Sequence, residues 1–96
     1  MNLTPAARAD ARHHLHTYTQ LRQLEREGPL VIVRGEGVHV IDEGGKRYLE
    51  GMAGLWCAAL GFSDARLVAA ATKQLQTLPY YHTFSGKVPG PVADLA

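Results

Sequence analysis

The stretch "LVIVRGEGVHVIDEGGKRYLEG", Leu30 to Gly51, constrains the chain most. Short runs of β-branched and aromatic residues alternate with glycines, and no run is long enough for an amphipathic helix with a 3.6-residue period. "VHVID" alternates apolar and polar residues, and Glu43-Gly44-Gly45 is turn chemistry. The pattern predicts an antiparallel meander of short strands over Leu30–Arg34, Val38–Asp42 and Arg47–Glu50. Gly35-Glu36-Gly37 and Gly44-Gly45 resemble phosphate-loop glycines only in composition. Neither leads directly into a helix, so their amides have no reason to converge on a phosphate, and they read as hairpin turns. "SGK" at Ser85–Lys87 lacks the earlier glycine and the following Ser or Thr of a phosphate loop.

Helical signals flank the meander. Thr4-Pro5 is a helix entry, with Thr4 as cap and Pro5 in the first position, and the Ala-rich, polar "AARADARHHLH" follows. "TQLRQLEREG" predicts a turn or two of helix stopped at Gly28-Pro29. The strongest helix runs from Asp64 to about Leu78, capped by Ser63, with Phe62 and Leu67 placed as a hydrophobic staple. Leu67, Val68, Ala71, Leu75 and Leu78 form its apolar stripe, and Pro79 ends it. "VPGPVADLA" begins another helix, with Pro91 in the first position. A helix starting so near the last residue gains little for its nucleus, so the expectation is the front of a longer protein. The order α, β-meander, α gives an α/β reading in three parts: 1–28 helical, 29–62 meander and glycine-rich loop, 63–96 helix and loop.

Composition narrows the function. Ten basic and nine acidic residues leave a net charge of +1, which provides no electrostatic footprint for nucleic acid. A single cysteine rules out an internal disulfide and suits a reducing compartment. The N-terminus has no apolar signal-peptide core, and no apolar run reaches the ~18 residues that cross a bilayer. The expectation is a cytoplasmic protein with no membrane partner.

Several clusters are candidates for chemistry. "HHLH" brings His13, His14 and His16 together, and on a helix His13 and His16 share a face. No carboxylate or cysteine stands at matching spacing, so the tract reads as polar histidines more readily than as a metal site. Cys57 has no local signature of a nucleophile and reads as a small apolar packing residue. Two aromatic loops remain, "GLWCAALG" and "LPYYHTFSG". Glycine allows tight turns and close approach, and aromatic rings make large walls, so either loop suits a core or the lining of a pocket.

Taken together, "HHLHTYT", "RGEGVHVIDEGGKRYLEGMAGLWCAALGFS" and "KQLQTLPYYHTFSGK" resemble, in order and spacing, the N-terminal segment of a class III aminotransferase. These are pyridoxal-phosphate (PLP) enzymes of fold type I, and the resemblance is nearest to the ω-transaminases, which move an amino group from an amine or ω-amino acid to pyruvate. The match runs from about His13 to Lys87. It implies that the meander belongs to the small domain, that the following helix lies near the domain junction, and that the protein is a homodimer or higher homo-oligomer with its active site at the interface. It also implies that Leu55, Trp56 and Cys57 line the substrate pocket beside the cofactor, that Tyr18 closes the pocket, and that Phe84 enters it across the interface. The Schiff-base lysine, the aspartate that pairs with the pyridinium and the carboxylate-binding arginine lie beyond Ala96 in such enzymes. Lys46, Lys73 and Lys87 do not match the catalytic lysine, so the 96-residue chain alone is expected to be inactive. Relatives often carry an aromatic where this chain has Ser85, and Asn where it has His82, so substrate choice does not carry over. The competing reading is an interaction module without the cofactor site.

Overall fold

The structure, a computed structural model, describes residues 2–96. Its elements are α1 (Pro5–His13), α2 (Leu21–Glu27), β1 (Ile32–Glu36), β2 (His39–Asp42), β3 (Arg47–Leu49), α3 (Ala53–Trp56), α4 (Ala65–Thr77) and α5 (Gly90–Leu95). They fall into two compact units, one ending at Phe62 and the other running from Ser63 to Ala96.

In the first unit the meander forms as the glycine pattern predicts, with antiparallel strand order β1-β2-β3. Val40 and Ile41 of the central strand, together with Ala7 of α1, are the buried apolar residues. Val40 faces Gly35 on one side and Tyr48 on the other, and Ile41 faces Arg34 and Arg47. β1 starts two residues later than predicted and continues through Gly35 and Glu36. The cause lies at Gly35. A Cβ there would stand 2.6 Å from Phe62 Cβ, so the glycine is a strand residue that makes room for Phe62, and the turn falls at Gly37-Val38.

Two carboxylates and two hydroxyls organise the rest of this unit. Thr4 Oγ1 accepts from the Ala7 amide at 3.2 Å, as a helix cap should, and donates to Glu43 Oε1 at 2.7 Å, tying α1 to the β2–β3 turn. Asp42 Oδ1 accepts from the amides of Gly44 and Lys46, both at 2.9 Å, and its Oδ2 accepts from the Tyr48 hydroxyl at 2.8 Å. These bonds favour the anion, and the Lys46 amide does most to hold the Asp42 carboxyl below its ordinary value of 3.8. The same Tyr48–Asp42 bond pushes the phenol above its usual range.

In the second unit, α4 occupies the predicted span, but its cap is one residue later. Asp64 Oδ1 accepts from the amides of Arg66 at 3.0 Å and Leu67 at 3.3 Å, while Ser63 has φ +61° and cannot serve as the extended cap. This removes Phe62 and Leu67 from staple register, and Phe62 packs in the first unit against Gly35. Leu67, Val68 and Leu75 of the apolar stripe are exposed. α5 has Pro91 in its first turn, as expected. The stripe of α4 lacks covering surface.

Two outcomes are expected. Gly35→Ala should weaken the first unit by about 1–3 kcal/mol by overpacking against Phe62, while Gly51→Ala, with nothing within 4 Å of its Cβ, should be neutral; amide exchange at Phe62 measures both. Because the folded pKa of Asp42 is depressed, its contribution is complete above its ordinary value of 3.8 and lost as pH falls through the folded value. Acid titration of the Gly44 and Lys46 amide resonances should show this loosening, and Asp42→Asn should abolish the titration.

Candidate functional site

The segment that carries Trp56 is a loop tied off at its base. Glu50 N donates to Val38 O at 2.9 Å. Phe62 N donates to Gly37 O at 2.7 Å, and Gly37 N returns a bond to Phe62 O at 3.2 Å. Both ends of the loop therefore meet at the β1–β2 hairpin tip. Gly61 permits this closure, since its φ is +89° and a Cβ on it would stand 3.0 Å from Gly37 O.

Inside the loop the backbone turns left-handed. Ala53, Gly54, Leu55 and Trp56 have φ of +49°, +63°, +67° and +69°. A left-handed turn costs L-residues roughly 1–2 kcal/mol each, so three of these four positions carry strain. The turn is held by bonds from the amides of Leu55 and Trp56 to Met52 O, both 2.9 Å, and from Cys57 and Ala58 to Ala53 O, at 3.0 and 2.8 Å. Gly54 suits its position through its φ of +63°, and a Cβ there would stand in ordinary contact with the Phe62 ring at 3.5 Å. The result is an indole presented outward, with Trp56 at 88% exposure and Leu55 also exposed.

Cys57 corrects one expectation. It is exposed, with its Sγ donating to Leu55 O at 3.3 Å, so it does not serve as a core packing residue in this chain. Tyr18 is fully exposed and left-handed as well, with φ +47° in the segment between α1 and α2. Strained backbone thus coincides with three of the five residues assigned to a pocket by resemblance.

Phe84 lies in the second unit. Its ring stacks on His82 at 3.8 Å with 14° between planes, and His82 stacks in turn on Tyr81 at 4.6 Å. His82 Nδ1 is buried without a hydrogen-bond partner. The left-handed pair Ser85 and Gly86, with φ +59° and +71°, turns the chain immediately after Phe84. In the sequence, the aromatic residues near His82, Tyr81 and Phe84, are the signal that it belongs to a ring stack.

Two open depressions occur in the first unit, one between α2 and Pro29-Leu30, the other lined by Ala11, His14, Leu15 and Leu21. Neither includes Tyr18 or the Leu55–Cys57 triplet. The lysines also fail a test for holding PLP. Such a lysine needs a desolvating pocket to become a nucleophile, yet Lys46 is exposed over the Tyr48 ring at 4.9 Å, and Lys73 and Lys87 are exposed too. Among the described residues, no lysine is enclosed in a pocket of that kind.

The histidine tract also differs from its sequence reading. α1 stops at His13, so His13 and His16 do not share a helical face. The carboxylate thought missing is Asp10, which receives His14 Nδ1 at 2.8 Å and His16 Nε2 at 2.6 Å. His16, then His14, hold its carboxyl below the ordinary range.

No protein-family model matches the chain. Comparison with known proteins and structures nevertheless shows what it is similar to: over most of its length the chain resembles part of transaminases, ω-transaminases among them, in sequence and in fold. It is 54% identical over 68 residues to a mitochondrial gamma aminobutyrate transaminase of Solanum lycopersicum, a match covering 71% of this chain and 13% of that protein. It is 42% identical over 84 residues to the putrescine–pyruvate aminotransferase of Pseudomonas aeruginosa, covering 88% of this chain and 18% of that one. The ω-transaminase of Pseudomonas jessenii in complex with PMP superposes with a TM-score of 0.90 at 50% identity, over 97% of this chain and 20% of that one. A thermostable ω-transaminase variant engineered for asymmetric synthesis of enantiopure bulky amines gives 0.90 at 47% identity, over 95% and 20%. Its replaced residues include a tryptophan and a phenylalanine with the same separation in sequence as Trp56 and Phe84. The chain therefore spans about a fifth of the enzymes it matches.

The strain can be tested directly. Ala53→Gly should stabilise the loop by about 0.5–1 kcal/mol, since relief of the left-handed penalty exceeds the entropy glycine adds to the unfolded chain. Gly54→Ala should do the reverse. Hydrogen exchange at the Cys57 and Ala58 amides reads both.

Proposed function

We propose that this chain is the N-terminal part of a PLP-dependent ω-transaminase that moves an amino group from an amine or ω-amino acid to a keto acid such as pyruvate. The observation that carries the reading is the match to ω-transaminase structure over nearly the whole chain at about half identity. The cofactor and the reacting lysine belong to the remainder of the subunit, since none of the lysines here is set in a pocket. The full protein works as a homodimer or higher homo-oligomer in the cytoplasm, with the meander in its small domain and α4 leading into the large one. No helix among the described residues is long and apolar enough to cross a membrane.

In this proposal the segment supplies walls to the substrate pocket. Leu55, Trp56 and Cys57 form one wall, Tyr18 closes it, and Phe84 enters from the other subunit. Three features support this. The triplet and Tyr18 are exposed in the isolated segment, so a partner surface is required to cover them. Three of these residues sit on left-handed backbone, which fixes their direction at an energetic cost that core packing would not require. Finally, a structural relative engineered for asymmetric synthesis of enantiopure bulky amines carries replacements of a tryptophan and a phenylalanine with the same spacing, together with an arginine. Apolar walls of this kind discriminate modestly, by about 1–3 kcal/mol per methylene, so they tune preference among amines.

The test uses the full-length protein. Trp56→Ala should raise kcat/KM for a bulky amine relative to a small one by about tenfold or more, with an unchanged melting temperature. Equal slowing of every substrate with a lower melting temperature would make Trp56 a structural residue. A full-length sequence with no lysine at a strand end in its large domain would remove the catalytic claim itself.

A further inference from the structure

The end of α1 gathers a carboxylate and two imidazoles that the transaminase reading leaves unused. Asp10 is on the last full turn of the helix, and His14 stands four residues on, just past its end. His14 N still donates to Asp10 O at 2.9 Å, which holds the residue in helical register while the chain turns away. The turn that follows brings His16 back over Asp10. Thr19 Oγ1 bonds Thr17 O at 2.7 Å, and Tyr18 adopts its left-handed φ. The two imidazoles lie 4.2 Å apart by ring centroid, tilted by 39°. One ligand atom from each of Asp10, His14 and His16 falls within 4.8 Å of the others. Asp10 and His16 are half-buried, with side-chain exposures of 24% and 23%, while His14 is more open.

The structure assigns Asp10, His14 and His16 as a binding site for a divalent transition-metal ion of the zinc type. Zinc bonds to imidazole nitrogen and carboxylate oxygen are about 2.0–2.2 Å, so adjacent donors around one ion stand roughly 3.0–3.4 Å apart. The observed separations are 2.8 Å from His14 Nδ1 to Asp10 Oδ1 and 2.6 Å from His16 Nε2 to Asp10 Oδ2. Opening each by a few tenths of an ångström, with the two imidazole nitrogens, which now lie within 4.8 Å, adjusting to the same spacing, admits the ion. Two nitrogens and a carboxylate suit zinc and its neighbours better than calcium or magnesium, which prefer all-oxygen sets. The ion takes the place of the hydrogens now shared with Asp10. Each coordinating nitrogen gives its lone pair to the metal, and its proton leaves to solvent or moves to the other ring nitrogen. Three protein donors leave the remaining positions to water. His13, on the helix itself, is outside the set and is the natural control.

The full 96-residue chain is titrated with Zn²⁺ by calorimetry, and with Co²⁺ by visible absorption, at neutral pH. One equivalent should bind, with cobalt showing ligand-field bands. Asp10→Asn and His16→Asn should each weaken binding by about tenfold or more, and His13→Asn should leave it within about twofold. Because Asp10→Asn also removes contacts at the helix end, a second measurement uses the unaltered chain. Zinc should shift the imidazole nitrogen resonances of His14 and His16 and leave those of His13, His39 and His82 in place. Absence of binding, equal loss in His13→Asn, or equal shifts at all five histidines would each overturn the assignment.

Discussion

Phe62 is the residue on which the first unit depends. Its backbone exchanges two hydrogen bonds with Gly37 at the hairpin tip, and its side chain lies against Gly35 and Gly54. One residue therefore joins the sheet, the neck of the loop and the left-handed turn. The glycines serve this arrangement in different ways. Gly35 gives space to the ring, Gly54 takes a left-handed φ beside it, Gly61 allows the backbones to approach, and Gly37 makes the turn. The burial gained is modest, since Val40, Ile41 and Ala7 are the buried apolar residues. Hydrogen bonds at the neck and at Asp42 set the geometry, and extended apolar packing does not.

That geometry explains how a strained turn persists. The penalties at Ala53, Leu55 and Trp56 amount to several kcal/mol on the usual scale of about 1–2 per residue. Four amide bonds to Met52 O and Ala53 O oppose them, and the closed neck prevents the loop from relaxing by lengthening. The uncovered surfaces belong to the same picture. The stripe of α4, the indole of Trp56 and the ring of Tyr18 are each exposed, although their composition favours burial. Exposed apolar faces of this extent are the kind that a partner surface covers.

Much of this was legible in the residues. Thr4-Pro5 announced α1, the stripe and Pro79 bounded α4, and the turn glycines marked a meander that formed in the expected order. The failures share a physical cause, which is that local pattern does not reveal contacts distant in sequence. β1 was placed too early because Gly35 looked like a terminator, when it is a strand residue opposed to Phe62. Ser63 has the composition of a cap, but its left-handed φ passes the role to Asp64. Cys57 is of a type usually buried and is exposed here. Helical spacing does not reveal the Asp10–His14–His16 cluster, because the helix ends at His13 and the chain turns back. The candidates Tyr18, Leu55, Trp56, Cys57 and Phe84 rest on resemblance, since no periodicity separates a pocket aromatic from a core one.

The closed neck has one more consequence. Because Glu50 and Phe62 are fastened to the same hairpin tip, residues between them can be added, removed or exchanged without moving the register of the three strands. Gly54, beside the Phe62 ring, belongs to the mounting, whereas the outward side chains of Leu55 and Trp56 do not. Those outward side chains can be exchanged while the sheet beneath stays the same.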